Sequence, residues 1–355
     1  MAQGATIAGR QSRFWLYAPF VLLAVVAVVW SVAWFVIRSG TEGALDSWIA
    51  AEAEEGRRWT CADRSIRGYP FRLELTCSSV RFQNGPVTGT TGPLQAVAQI
   101  YQPRHIITEV QGPLRVTDGR ATVDAQWRLL EASIRASRDG LRRASLFVDA
   151  PEVKVSGALP EVLTVSARNL DAHLRPSPTR AGDGAVDLAA RAGGVRLPAL
   201  DAFVGGGEAA DLQTDLTITE ARGFATGVGA LELDRWRGAG GQVEVLLLSL
   251  AKGDRRLEAK GNLRLDAERR PEGQLTLAGR GLDGLIANLT GQRAGGLIGA
   301  LLGQVTGRAP ANAGTPGSAQ TTAPGLAPLP PLRMENGRIL LGPFAIPNVR
   351  IPPLY

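Results

Sequence analysis

Lysine is almost missing from this chain. Lys154, Lys252 and Lys260 are the only lysines among 39 basic residues, histidine and cysteine occur twice each, and aromatics make up 6 % of 355 residues. Each shortage excludes something. Two cysteines cannot staple a disulfide-dense miniprotein. With His105 and His173 far from both cysteines, no four-ligand zinc set is in sight. Stretches 84–100 and 181–200 offer no aromatic platform on which bases could stack. The net charge of +6 comes from scattered arginines that are regularly accompanied by acids, not from one basic face, so nucleic acid is not an expected partner.

Catalytic signatures are also missing: no G-x-S-x-G, H-E-x-x-H or Walker A sequence occurs. Gly279-Arg280-Gly281-Leu282-Asp283-Gly284 fits G-x-G-x-x-G between a strand pattern and a helix pattern. However, no acid lies between Asp283 and Glu335, where a ribose-binding carboxylate would be needed. A tight strand-to-helix turn explains it better. We therefore assign no catalytic residue, metal ligand or cofactor, and expect a protein that is not an enzyme.

What the chain does have is 45 % apolar residues, interrupted by 43 glycines and 22 prolines, which disfavours long helical bundles. One uninterrupted run stands out. From Phe14 to Ile37 there are 24 residues without a charge, about 36 Å as a helix and enough for a bilayer core of about 30 Å. Phe14, Trp15, Trp30, Trp34 and Ile37 mark this segment, with its tryptophans toward the two ends as an interfacial belt requires. A cleaved signal peptide is the competing reading, with Ser31-Val32-Ala33 as the site, but cutting there would leave Trp34 to Ile37 in water. Arg10 and Arg13 precede the span without an acid, whereas several acids follow Arg38. The positive-inside rule then leaves residues 1–13 in the cytoplasm and the rest of the chain outside.

Leu45, Trp48, Ile49 and Ala53 follow at helical spacing, so 38–60 reads as an amphipathic helix. After Tyr69 the period becomes two. Phe71, Leu73, Leu75 and Cys77 alternate with polar residues, as do 121–129 and 256–266, and short connections such as Asp118-Gly119 and Gly253-Asp254 separate such stretches. This predicts an antiparallel β domain over 61–280. Cys61 and Cys77 can pair in an oxidising compartment or remain as two buried thiols. Residues 281–307 carry two leucine-rich helical stripes, 308–331 read as a flexible linker, and 332–355 as a hairpin around Asn336-Gly337 with a Pro-rich tail lying extended.

The run Ile66-Arg67-Gly68-Tyr69-Pro70-Phe71-Arg72 between the two cysteines resembles the uncharacterised bacterial envelope family known as domain of unknown function 2125. Trp236-Arg237-Gly238-Ala239-Gly240-Gly241, Gly261 to Asp266 and Asn336-Gly337-Arg338 are similar to that family too. The resemblance implies an inner-membrane protein with one N-terminal anchor and a β-rich periplasmic domain. The plan also resembles the AsmA-like group, whose long curved sheets imply lipid guidance.

The expected fold is mainly β: an elongated, curved antiparallel sheet with flanking helices and one transmembrane helix. A sheet with one apolar face needs a cover, and the predicted helices are too few to supply it. The uncovered part is expected to form an apolar groove represented by Val123, Trp127, Leu257, Leu263 and Leu265, with membrane lipid as partner. The alternative is a scaffold that offers sheet edges and the Pro-rich tail to envelope proteins.

Overall fold

A computed structural model of the protein describes residues 14–138, 140–157, 161–198, 201, 206–226, 229–282 and 325–355. Helix α1 (Phe14–Glu54) is a single unbroken element in which the apolar run and the amphipathic segment are continuous. The first strand begins at Arg57, so residues 57–60 are sheet, not helix. Most of segment 281–331 lies outside the described residues, except that the strand from Ala327 starts inside what reads as linker.

Most of the remaining described residues form antiparallel sheet. With strands numbered in chain order, a seven-stranded sheet contains β1 (Arg57–Ala62), β4 (Ser79–Asn84), β5 (Val87–Thr91), β8 (Leu114–Thr117), β9 (Thr122–Gln126), β12 (Glu152–Ser156) and β13 (Leu163–Ser166). The first half of a fifteen-stranded sheet is β2 (Ser65–Arg67), β3 (Arg72–Cys77), β6 (Leu94–Gln99), β7 (Gln102–Val110), β10 (Leu129–Ser137), β11 (Gly140–Asp149), β14 (Asn169–Pro176) and β15 (Val186–Val195). It continues through β16 (Ala210–Ile218), β17 (Val243–Lys252), β18 (Arg255–Leu265), β19 (Pro271–Arg280), β20 (Ala327–Glu335), β21 (Arg338–Leu341) and β22 (Phe344–Arg350).

Up to β15 the chain visits the two sheets two strands at a time, with a hairpin in one and then a hairpin in the other. The crossings are short: Ser78, Gly92-Pro93, Gln111 to Pro113, Trp127-Arg128, Ala150-Pro151 and Ala167-Arg168. They lie side by side and continue the hydrogen-bond ladder, with Gly92 N donating to Pro113 O at 3.2 Å, Gln111 N to Pro93 O at 2.8 Å, and Ala167 N to Pro151 O at 2.9 Å. In effect one sheet is folded along a seam into a V. Prolines suit this line because they bring no amide hydrogen that would need a partner. Gly92 is required there, since a Cβ would stand 2.7 Å from two carbonyl oxygens. The stretch 121–129, which alternates as though it were one strand, crosses the seam at Trp127. The Trp127 indole braces the bend by donating to Val110 O at 2.7 Å.

Cys61 of β1 and Cys77 of β3 are disulfide-bonded across the two arms, with Cα atoms 5.3 Å apart. Hence the faces carrying Cys61 and Cys77 are the inner faces of the V. At the far end, helix α2 (Ala230–Gly238) lays Trp236 against the large sheet, where its indole donates to Thr219 O at 2.7 Å. The Asn336-Gly337 hairpin forms as expected. The tail does not run extended along the sheet to its end. It turns back after β22, so that Leu354 N donates to Arg269 O and the Tyr355 hydroxyl donates to Asp234 of α2 at 3.0 Å.

Burial raises the Asp234 carboxyl, but the bonds from Arg269 and Tyr355 outweigh it and hold the group below its ordinary 3.8. A carboxylate depressed on folding stabilises above the unfolded value and loses that contribution as pH falls through the folded one. Acidification below 3.8 should therefore release the tail, seen as faster amide exchange at Leu354, and Asp234→Asn should abolish this pH dependence. Replacing both cysteines with serine should cost on the order of 3 kcal/mol in denaturant unfolding, because the bond closes a short loop between the arms.

Candidate functional site

The inner face of the large sheet is apolar along its length. Opposed pairs repeat from strand to strand: Leu75 with Ala96, Ile106 with Ile134, Ala132 with Leu146, Ala172 with Ala190, Leu212 with Leu250, and Leu257 with Gly279. In the second half this face packs into a core of Val245, Ala259 and Leu275, joined by Leu216, Val243 and Leu277.

The two arms of the V do not match. Small-sheet strands have four to six residues, whereas β7, β10, β11 and β15 have nine or ten, so the large arm overhangs. The small sheet also ends at β13, while the large one continues past β15. Both mismatches leave inner-face residues open. Ile106 and Ile134, on the overhang, keep 42 and 48 % of their surface exposed; Leu212 and Leu248, beyond β15, keep 36 and 46 %. Ile107 and Phe147, 40 and 37 % exposed, lie on the outer face, so what sets the inner-face aliphatics apart is that they border a face otherwise covered by the small sheet.

One end of the groove abuts α1. Its first strands, β1 and β2, are the two that follow the helix, and Trp48 of α1 extends an aromatic row with Trp59 and Phe82, at ring spacings of 5.9 and 5.4 Å. The Phe82 ring lies directly over Gly89, where a Cβ would overlap it at 1.9 Å. Ion pairs secure this end, Arg64 with Asp46 at 2.7 Å and Arg57 with Glu52 at 2.6 Å. The Glu52 carboxyl is lowered by its hydrogen bond from Arg57.

Farther down α1, the tip of the β2–β3 hairpin docks on the helix. Trp30 Nε1 donates to Pro70 O at 2.9 Å and Trp34 Nε1 to Arg72 O at 3.1 Å, while Ser31 Oγ and the Tyr69 hydroxyl lie 2.8 Å apart. Trp34 meets Tyr69 edge to face at 5.5 Å and is 4 % exposed. Trp30 and Trp34 thus serve as a dock for the hairpin, a role their belt-like spacing did not announce. Ile37 stays exposed, and Phe14 and Trp15 begin the helix.

The residues expected to line the groove fall in three places. Val123 faces Val116 and Val155 inside the small sheet. Trp127 is the brace of the seam. Leu257 and Leu263 occupy opposite ends of β18. Leu263 and Leu265 line an apolar cavity of about 340 Å³ under α2, closed by Phe224, Trp236 and Leu354. Sequence reasoning missed Ile106, Ile134, Leu212 and Leu248. It also missed the hairpin dock, although Tyr69-Pro70-Phe71 had stood out as a motif. His105 and His173 lie on the outer face, each 3.0 Å from a serine hydroxyl, Ser133 and Ser145. Among the described residues, no group of three His, Cys, Asp or Glu side chains could hold a metal ion.

Gly241 supports the α2 cavity, since a Cβ there would lie 2.2 Å from the Trp236 indole nitrogen. Gly241→Ala should cost about 1–3 kcal/mol through overpacking, measured by thermal unfolding, and should shift the tryptophan emission.

A family model described as "Uncharacterized protein conserved in bacteria (DUF2125)" matches residues 34–350, and the chain belongs to that family. No curated protein and no solved structure matches it.

Proposed function

Starting from a member of an uncharacterised bacterial family, we propose a single-pass inner-membrane protein whose β domain stands in the periplasm and binds lipid acyl chains in the groove without catalysing a reaction. Helix α1 is long and apolar enough to span a bilayer. Arg10 and Arg13 ahead of it favour a cytoplasmic N-terminus, and the Cys61–Cys77 bond suits an oxidising compartment. Retention of the helix fits the hairpin dock. Cleavage after Ala33 would remove Trp30 and Ser31, the partners of Pro70 and Tyr69.

The single observation that carries the reading is the row of open inner-face aliphatics, Ile106, Ile134, Leu212 and Leu248, in a groove that begins at the membrane helix. At about 4.8 Å per strand, the ten strands from β2 to β17 give that groove a length of roughly 43 Å. The apolar lining suits hydrocarbon and offers few fixed polar groups to select a headgroup. The scaffold alternative has less to offer partners, because Tyr355 holds the tail down on α2.

Full-length protein transferred from detergent to amphipol should carry phospholipid, quantified by mass spectrometry after extraction. Ile134→Asp with Leu248→Asp should lower that lipid several-fold while leaving the circular dichroism unchanged, since both side chains are open to solvent. Equal lipid in wild type and variant would sink the groove reading, because lipid held only around α1 would not respond to these changes.

A further inference from the structure

We infer that the hairpin-tip edge of the large sheet beside α1 is a second bilayer-binding surface: the β2–β3 tip enters the lipid, and a neighbouring arginine cluster holds anionic phospholipid headgroups. The inference rests on α1 spanning the bilayer.

The insertion follows from where the tip is tied. Trp30, which bonds Pro70, lies seven residues before Ile37, the last residue ahead of Arg38. At about 1.5 Å per residue, the tip is held roughly 10 Å inside the end of the apolar run. Its side chains suit that depth. Phe71 is 61 % exposed and Tyr69 53 %, so without lipid both rings would face water. Arg67 and Arg72 stand at the base of the same hairpin, at the level of the headgroup layer, with Arg72 ion-paired to Glu74 at 3.1 Å and Arg67 opposite Glu74 in the ladder.

The basic part follows from topology. All hairpins of the large sheet up to β15 turn on the side away from the seam, so the tips of β2–β3, β6–β7 and β10–β11 are neighbours on one edge. Ile100 N donates to Phe71 O at 3.1 Å, which sets exposed Tyr101 beside the inserted tip. Next along the edge come Arg104, Arg135, Arg138, Arg142 and Arg143 around an open cavity of about 650 Å³. Arg135 stands directly opposite Arg143 across the β10–β11 ladder, a like-charge pair that destabilises unless an anion lies between them. Elsewhere arginine pairs with acid in Arg115–Asp124, Arg128–Asp149, Arg175–Asp187 and Arg264–Glu272, and the two further opposed arginine pairs, Arg256–Arg280 and Arg338–Arg350, lie on strands β18 to β22, far along the sheet from α1. A cluster of five arginines without a carboxylate partner among the described residues, adjoining an inserted aromatic tip, is complementary to the phosphate layer of the same bilayer.

The test uses the full chain with its disulfide intact, carrying one added cysteine with a nitroxide at Phe71, Ala136, Val28 or Thr88. It is reconstituted in vesicles of phosphatidylcholine alone or with phosphatidylglycerol. Collision with an aqueous nickel chelate should be about fivefold lower at 71 than at 88 in both lipids, as at 28, because the tip sits within the hydrocarbon boundary. At 136 it should fall about twofold only when phosphatidylglycerol is present. Arg104→Gln with Arg138→Gln and Arg142→Gln should erase that fall, and inorganic phosphate should not reproduce it in phosphatidylcholine. A label at 71 as wet as at 88 with 28 protected overturns the insertion. Indifference of 136 to phosphatidylglycerol, or an equal effect of free phosphate, overturns the headgroup site. If 28 itself is wet, the span is wrong and the inference falls with it.

Discussion

Everything in this protein depends on the line along which its sheet is folded. Each strand that crosses the seam must keep its backbone bonded while changing direction, and Gly92, Pro93, Gln111 and Pro113 do so by bonding to one another across adjacent crossings. Prolines at the bend leave no donor unmet, and glycine admits the neighbouring carbonyls. With the ladder intact through the bend, the inner faces of both arms are brought together without a separate loop for every strand. The disulfide between Cys61 and Cys77 fixes the same closure at the first crossing.

The groove is a consequence of unequal arms. A sandwich buries both inner faces when its sheets match in strand length and number. Here the short strands of the small sheet stop before the long strands facing them, and the small sheet ends while the large one continues. The aliphatics that remain open are therefore those farthest from the seam or beyond the last covering strand. At the far end, α2 and the folded-back tail restore a cover, with Phe224, Trp236 and Leu354 closing over Leu263 and Leu265 and Tyr355 tying the tail to Asp234. At the near end α1 does so, through Trp48 packed at a tilt against Trp59.

The period-two alternation, the turn dipeptides and the uncharged run Phe14 to Ile37 were legible because each reflects local geometry: side chains on opposite faces of a strand, positive φ in a turn, the length of an apolar helix. The mainly β, antiparallel class and the Asn336-Gly337 hairpin follow from those local rules. The membership of the disulfide also agrees with the short spacing of its cysteines. The groove residues were read less well. Alternation says that Val123, Leu257 and Leu263 share the character of an inward side chain. It does not say which strand opposes them or whether that strand reaches far enough to cover them.

By itself, then, the sequence determined that the chain beyond its first helix is mainly antiparallel strand, where several of its turns fall, and that the first helix is apolar enough to cross a membrane, because those properties need only neighbours within a few residues. It did not fix the strand ends at Arg57, Gln126 and Ala327. Tertiary structure alone decided that Trp127 is a brace at a bend, that Trp30 and Trp34 receive a hairpin, and that Ile106, Ile134, Leu212 and Leu248 stay open. Those outcomes are set by the relative length of two sheets and by contacts between residues some 40 positions apart, such as Trp30 and Pro70, and no local pattern encodes such distances.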